Sequence, residues 1–144
     1  MARFVLSSDH TAIVLRGEIA AHLEAAGHAV SDIGPLTPES THYPVHGRAA
    51  AEVVARGDAD FGIVLCGTGQ GIMMAANKVQ GIRCGVCADP VSAALIRQHN
   101  DANMLSLGAR IVGPTLAIAI VDSFIGATFE GGRHAPRVSM IERP

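Results

Sequence analysis

Phe61-Gly-Ile-Val-Leu-Cys66-Gly-Thr-Gly-Gln-Gly71 is the stretch on which the reading of this chain turns. Phe61 to Leu65 is a short apolar run, which predicts a buried strand. The glycines at 67, 69 and 71 supply a tight turn, and a helix is expected from Gly71 to Lys78. One cysteine stands where strand, turn and helix meet. A helix N-terminus presents unpaired N–H groups and a partial positive charge. A thiol in such a place ionises more readily than a free one, and the same N–H groups can hold an oxygen that turns negative during a reaction. The alternative is a small buried hydrophobe. Position alone leaves both open.

Working outward, strands and helices alternate. Phe4 to Ser7 predicts a strand, and Ile13 to Ala26 a helix with Leu15, Ile19, Leu23 and Ala26 at helical spacing and Gly27 as its stop. His28 to Ile33 is a second strand, followed by a polar loop with Pro35, Pro38 and Pro44. An alanine-rich helix is expected over about Val45 to Ala55. Arg83 to Cys87 reads as the fourth strand, and Pro90 opens a helix to about His99. Met104 to Leu107 is the fifth strand, and Pro114 opens a long helix to about Phe124. The alternation predicts an α/β fold with a five-stranded parallel sheet covered on both faces. No linker or repeat interrupts the 144 residues, so residues 1–144 are expected to form one domain.

Composition narrows the function. The formal charge of −2, with one Tyr, four Phe and no Trp, argues against nucleic acid, an anionic membrane or a base-stacking platform. The start, Met1-Ala-Arg-Phe-Val-Leu, lacks the apolar stretch of a signal peptide, and no run approaches the roughly 18 to 20 apolar residues of a membrane span. A soluble, cytoplasmic protein is the expectation. Hydrophobic residues make up 49% and charged residues 17%, which leaves little charge to cover a monomer and points to self-association. Leu116, Ile118, Ile120, Val121, Phe124 and Ile125 place apolar groups nearly all round the last long helix. A subunit interface would cover its outer face, unless the helix is wholly buried. The basic tail Glu130-Gly-Gly-Arg-His-Ala-Pro-Arg137 follows, with two arginines four apart, positioned to reach a neighbouring subunit's site.

In an open parallel sheet, ligands collect beyond the carboxyl ends of the strands. That places Ser8, Asp9 and His10, the Cys66–Gly71 turn, Asp89, and Gly108 to Arg110 together as candidates. His99 and Asn100 end a helix, so they belong to the opposite rim and join such a site only through a loop or across an interface. The glycine turn is neither a dinucleotide fingerprint nor a P-loop. Cys84-Gly-Val-Cys87 has redox or zinc spacing, but side chains three apart in a strand point to opposite faces and further ligands are lacking. Small buried residues in a reducing compartment explain it better. His42 and His46 lie near Tyr43-Pro44 without a ligand set, so no metal is expected. Arg97-Gln-His-Asn100-Asp reads as a solvated helix end. Arg133 and Arg137 are either a solvated tail or a clamp on one phosphate.

Taken together, the chain resembles the type B ribose-5-phosphate isomerases and their galactose-6-phosphate and allose-6-phosphate relatives. The resemblance runs through Ser8-Asp-His10, Tyr43-Pro44, Cys66-Gly-Thr-Gly-Gln-Gly71, Ala75-Ala-Asn-Lys78, Gly81-Ile-Arg83, Arg97-Gln-His-Asn-Asp101-Ala-Asn, Gly108-Ala-Arg110, Glu130-Gly-Gly-Arg-His134 and Arg137. It implies a three-layer, Rossmann-like α/β/α fold and a cofactor-free aldose–ketose isomerase, working as a dimer whose sites combine two subunits. The reaction it implies is ribose 5-phosphate to ribulose 5-phosphate through a cis-enediolate. Cys66 would be the base, since Ile72 stands where some relatives carry a glutamate. Thr68 and the N–H groups of Gly67, Gly69 and Gly71 would stabilise the enediolate oxygens, and His99 would serve ring opening. Asp9 and Asn100 would hold hydroxyls; His10, Arg110, Arg133 and Arg137 would grip the phosphate, with Tyr43 also at the substrate.

His42 replaces the Asp usual before the Tyr-Pro pair, and Ala12 replaces a common glycine. Both lie near the sugar end, so a four-carbon or six-carbon aldose phosphate stays open as an alternative. A non-catalytic phosphosugar binder on the same fold is opposed by Cys66, Thr68 and His99. A nucleotide-dependent oxidoreductase is opposed by the missing fingerprint.

Overall fold

The computed structural model describes residues 1–142. The elements run β1 (Arg3–Ser8), α1 (Ile13–Ala25), β2 (Ala29–Asp32), α2 (Tyr43–Ala55), β3 (Phe61–Cys66), α3 (Gln70–Ala76), β4 (Cys84–Val86), α4 (Pro90–Asn100), β5 (Met104–Gly108), α5 (Pro114–Gly126) and α6 (His134–Ile141). A 3₁₀ turn, His10–Ala12, leads into α1. The five strands are all parallel in the order β2-β1-β3-β5-β4. No helix among the described residues is long and apolar enough to cross a membrane.

Strand order and the right-handed crossover rule place the helices. The chain steps outward from β1 to β2, back across β1 to β3, over to β4, and back again to β5. Each reversal puts the connecting helix on the other face, so α2 and α3 cover one side and α1, α4 and α5 the other. The two apolar clusters follow that division. Phe4, Leu6, Ile63, Leu65, Leu105 and Leu107 face α1, α4 and α5. Val5, Val64, Cys66 and Met104 face α2 and α3. Strands covered on both faces carry apolar side chains at odd and even positions alike, which is why they read as continuous runs.

In the tail after Gly126, residues 134–141 form α6, which docks on α4 of the same chain. Strand β4 is shorter than Arg83 to Cys87, so Cys87 lies beyond its end. Helix α5 packs one side on the chain's own core. Ala117, Ile120, Val121 and Phe124 are buried, Ile118 and Ile125 pack on the same core, and Leu116 is exposed. Its helix partners are α4 and α1.

Candidate active site

Strand β3 ends on Cys66, and the sheet register sets Cys66 beside Gly108 of β5 and Leu65 beside Ser8 of β1. The three strand ends therefore open at one edge. Strand β5 and the residues just after it hold the glycine turn. The Ala109 N–H donates to the Cys66 carbonyl at 2.9 Å, the Arg110 N–H to the Gly67 carbonyl at 2.9 Å, and the Ser106 hydroxyl to the Gly69 carbonyl at 2.7 Å. Gly69 sits at φ +77°, and a Cβ there would come 2.9 Å from both the Leu107 carbonyl carbon and Val86 Cγ2. Only glycine fits both constraints.

This turn aims a donor at sulfur: the Gly69 N–H points to Cys66 Sγ at 3.2 Å. Because α3 has only seven residues, its macrodipole is small, and the individual N–H groups matter more. The Thr68 hydroxyl accepts from the Gln70 N–H at 3.3 Å, which leaves its own proton to donate. Tyr43 lies over Gly71, where a Cβ would meet the phenol ring at 2.5 Å. Arg110 lies over Gly67, its guanidinium 3.5 Å from where a Cβ would be.

Asp9 and His10 border the same edge. The Asp9 N–H donates to the Leu65 carbonyl at 3.1 Å, and its Oδ1 accepts from the Thr11 N–H and hydroxyl at 2.9 and 2.6 Å. His10 Nδ1 accepts from the Thr41 N–H at 3.2 Å, so a neutral His10 carries its proton on Nε2. The Thr41 hydroxyl meets His46 Nε2 at 2.8 Å. Burial holds His46 below the usual histidine range. Thr41 and His46 had no assigned role from the sequence; only the fold of the proline-rich loop brings them here.

That loop is pinned by Arg16, which is 2% exposed. Its guanidinium donates to Asp32 at 2.9 Å, to the Ser8 hydroxyl at 2.6 Å and to the Pro35 carbonyl at 2.7 Å. An arginine at a helical core position is the available sequence signal for such a buried anchor. Asp89, in contrast, is spent as the cap of α4: its two oxygens accept from the Ser92 N–H and hydroxyl at 2.8 and 2.6 Å. Those bonds hold its carboxyl below the usual range.

His99, Asn100, Arg133 and Arg137 lie elsewhere. In a parallel sheet each helix runs back against the strands, so the end of α4 reaches the amino edge. Arg83, just before β4, ties that rim together: its Nε donates to the Asn100 carbonyl at 3.0 Å and an Nη to the Asp101 carbonyl at 2.8 Å. The Arg97 end of α4 is not the solvated terminus the sequence implied. Its guanidinium stacks 5.0 Å from the Phe61 ring centroid and bonds Asp101 and the Ala102 carbonyl at 2.8 and 2.7 Å. His99 stacks on His134, centroids 4.4 Å apart. Arg133 and Arg137 are exposed at the head of α6. A cavity of about 410 Å³ at this rim has Arg83, Asn100 and Ile141 among its lining.

The sequence candidates thus fall into two clusters at opposite edges of one chain. The carboxyl edge gathers Asp9, His10, Tyr43, Cys66, Gly67, Thr68, Gly69, Gly71 and Arg110. The amino rim gathers His99, Asn100, Arg133 and Arg137.

One group at the rim resembles a metal site: donor atoms of His99, Glu130 and His134 lie within 4.8 Å of one another. The two rings are within 13° of parallel, so their in-plane lone pairs run side by side rather than converging on one cation. Cys84 and Cys87 are buried and free. Burial pushes the Cys87 thiol up to about 11 and raises Cys84 as well, so neither has the character of a reactive thiol.

Residues 4–141 match the family model described as Ribose/Galactose Isomerase. The chain belongs to the ribose/galactose isomerase family. Ribose-5-phosphate isomerase B of Escherichia coli is 49% identical over 98% of this chain and 95% of its own length. The D-erythrulose-4-phosphate isomerase of Pectobacterium atrosepticum is 39% identical, covering 98% of this chain and 93% of that protein. The solved structure of Clostridium thermocellum ribose-5-phosphate isomerase B superimposes with a TM-score of 0.96 at 49% identity, covering 97% of this chain and 95% of that one. As a member of this family the chain is a sugar-phosphate isomerase of the aldose–ketose class. The five-stranded parallel sheet with helices on both faces is the α/β/α, Rossmann-like architecture expected of it.

Proposed function

We propose that this isomerase converts ribose 5-phosphate to ribulose 5-phosphate, with Cys66 as the proton-transferring base. The observation that carries the reading is the Gly69 N–H aimed at Cys66 Sγ, at the strand end that opens the glycine turn. A proton beside a carbonyl is too weakly acidic to leave unless the growing negative oxygen is stabilised, so base and donors must be close neighbours. The furanose opens first: O1 loses its proton, C1=O1 forms as the C1–O4 bond breaks, and O4 takes a proton. His99 serves this step. Cys66 thiolate then takes the C2 proton, and the electron pair passes to O1, giving a cis-enediolate. The Thr68 hydroxyl and the N–H groups of Gly67, Gly69 and Gly71 hold its oxygens. The O2 proton moves to O1, C2=O2 forms, and the thiol returns its proton to C1.

Asp9, Asn100 and Tyr43 bind the sugar; His10, Arg110, Arg133 and Arg137 bind the phosphate, whose remote binding energy positions the reacting carbons. No cofactor enters the scheme. Since ring-opening and phosphate groups lie at the far rim, residues 1–144 act as one domain in a homodimer, or a tetramer of paired dimers, that completes each edge with a partner's rim. The tail from about residue 127 supplies that rim; its last two residues lie outside those described. Free, buried cysteines fit a reducing, cytoplasmic setting.

A second reading, a four-carbon or six-carbon aldose phosphate, is favoured by His42 and Ala12 beside the sugar-binding residues Tyr43 and Asp9. A panel of aldose and ketose phosphates from four to six carbons, ranked by kcat/KM, separates the two. The Cys66→Ala protein is expected to bind phosphosugar yet lose about 10³-fold or more in kcat. Near wild-type turnover by that variant would remove Cys66 as the base.

A further inference from the structure

His134 has no task in the scheme above, yet the structure builds it against a residue that does. It heads α6, is buried, and lies face to face with His99, ring centroids 4.4 Å apart and planes 13° from parallel. The Glu130 carboxylate lies beside it, Oε2 being 3.5 Å from His134 Nε2, a buried nitrogen with no hydrogen-bond partner among the described residues. The Glu130 N–H in turn donates to the Gln98 carbonyl at 3.0 Å, one residue before His99. The segment carrying the platform is thereby fastened to the helix carrying the ring it supports.

We infer that His134 is a positioning residue for ring opening, the flat platform that fixes the plane of the His99 imidazole with Glu130 holding the platform in place. The inference rests on the ring-opening role of His99. That step removes a proton from O1 and delivers one to O4 while C1–O4 breaks, so the imidazole must be presented edge-on to both oxygens. A free imidazole rotates about its Cβ–Cγ bond; one stacked on a buried ring loses contact area whenever it turns. Burial first, then the positive charge that His99 and Arg133 can carry, keeps His134 below the usual histidine range. A neutral platform can stack beneath a His99 that gains and loses a proton without adding a second fixed charge.

The experiment compares ribose 5-phosphate with its C2-deuterated form in the wild type, His134→Ala, His134→Phe and Glu130→Gln. In His134→Ala, kcat/KM is expected to fall about 10- to 100-fold, as geometric misplacement of a reacting group does. Its primary isotope effect should fall toward one, because a slow ring opening precedes cleavage of the C2–H bond; if the wild-type effect is already one, it stays there. His134→Phe, which keeps a flat face, should regain most of the rate. Glu130→Gln, an exposed change that leaves both rings, should lose less with the isotope effect moving the same way, and it decides the matter if His134→Ala does not fold. The inference is overturned if His134→Ala stays within about twofold of wild type, or if the isotope effect rises or holds at a wild-type value above one. Failure of the underlying reading looks different. In that case the wild type would not isomerise ribose 5-phosphate, would prefer a sugar phosphate that cannot cyclise, or would keep its rate without Cys66.

Discussion

The carboxyl edge and the amino rim are built by different means. At the edge, Cys66 and its donors lie within six consecutive residues, and the main chain does most of the shaping: register, a left-handed glycine and N–H groups. At the rim the parts come from α4, the Glu130 segment and α6, and side chains do the shaping through Arg83, the His99–His134 stack and Glu130. The difference teaches that a backbone-built half-site is written in a short motif, whereas a side-chain-built one appears only when distant segments dock.

If the two regions meet only across an interface, two crippled chains can rescue each other. Cys66→Ala and the double variant Arg133→Ala/Arg137→Ala, each nearly inactive alone at low substrate, should regain about a quarter of wild-type activity when unfolded together, refolded and assayed. Statistical pairing puts half of the chains into mixed dimers, each with one intact site. No recovery would mean that every site is drawn from one chain.

Arg137→Ala alone tests the rim as a clamp. KM should rise about tenfold or more with kcat little changed, since a lost charge-assisted bond to a bound anion is worth roughly 1.5–3 kcal/mol. An unchanged KM for every phosphosugar would remove the arginine from the phosphate. Gly69→Ala probes the edge. With φ at +77° and backbone 2.9 Å away, it should lower stability by about 1–3 kcal/mol in denaturant titration. The rim residue Arg83, bonded to the Asn100 and Asp101 carbonyls, should cost a similar amount when replaced by Ala while leaving the Cys66 turn intact.

The smallest effect concerns pH. His46 and His134 both titrate below the ordinary histidine value when folded, so the unfolded chain takes up protons first as pH falls. Stability is full above about pH 6.5 and declines below it until the folded values are passed. Urea midpoints measured across pH 5 to 7 should show that slope, shallower in His46→Gln; an identical slope would remove His46 from it.

Much of this was legible beforehand. The apolar runs gave five strands because each is buried on both faces, and Cys66 with its glycine turn could be read as a unit. Less legible were the rim and its supports. The Glu130-Gly-Gly-Arg-His segment looks like a polar tail, because its helix is short and only His134 of it is buried. Arg97 looks solvated until Phe61, thirty-six positions earlier, supplies a ring beneath it.

By itself the sequence determined the alternation of strands and helices and the place of Cys66 and its glycine turn at the end of β3. Both follow from residues close in the chain: apolar periodicity, and glycines that permit one turn. Strand order, the bonds of Arg83 at the amino rim and the His99–His134 stack were decided by tertiary structure. Each depends on contacts between segments far apart in sequence, which only packing brings within reach.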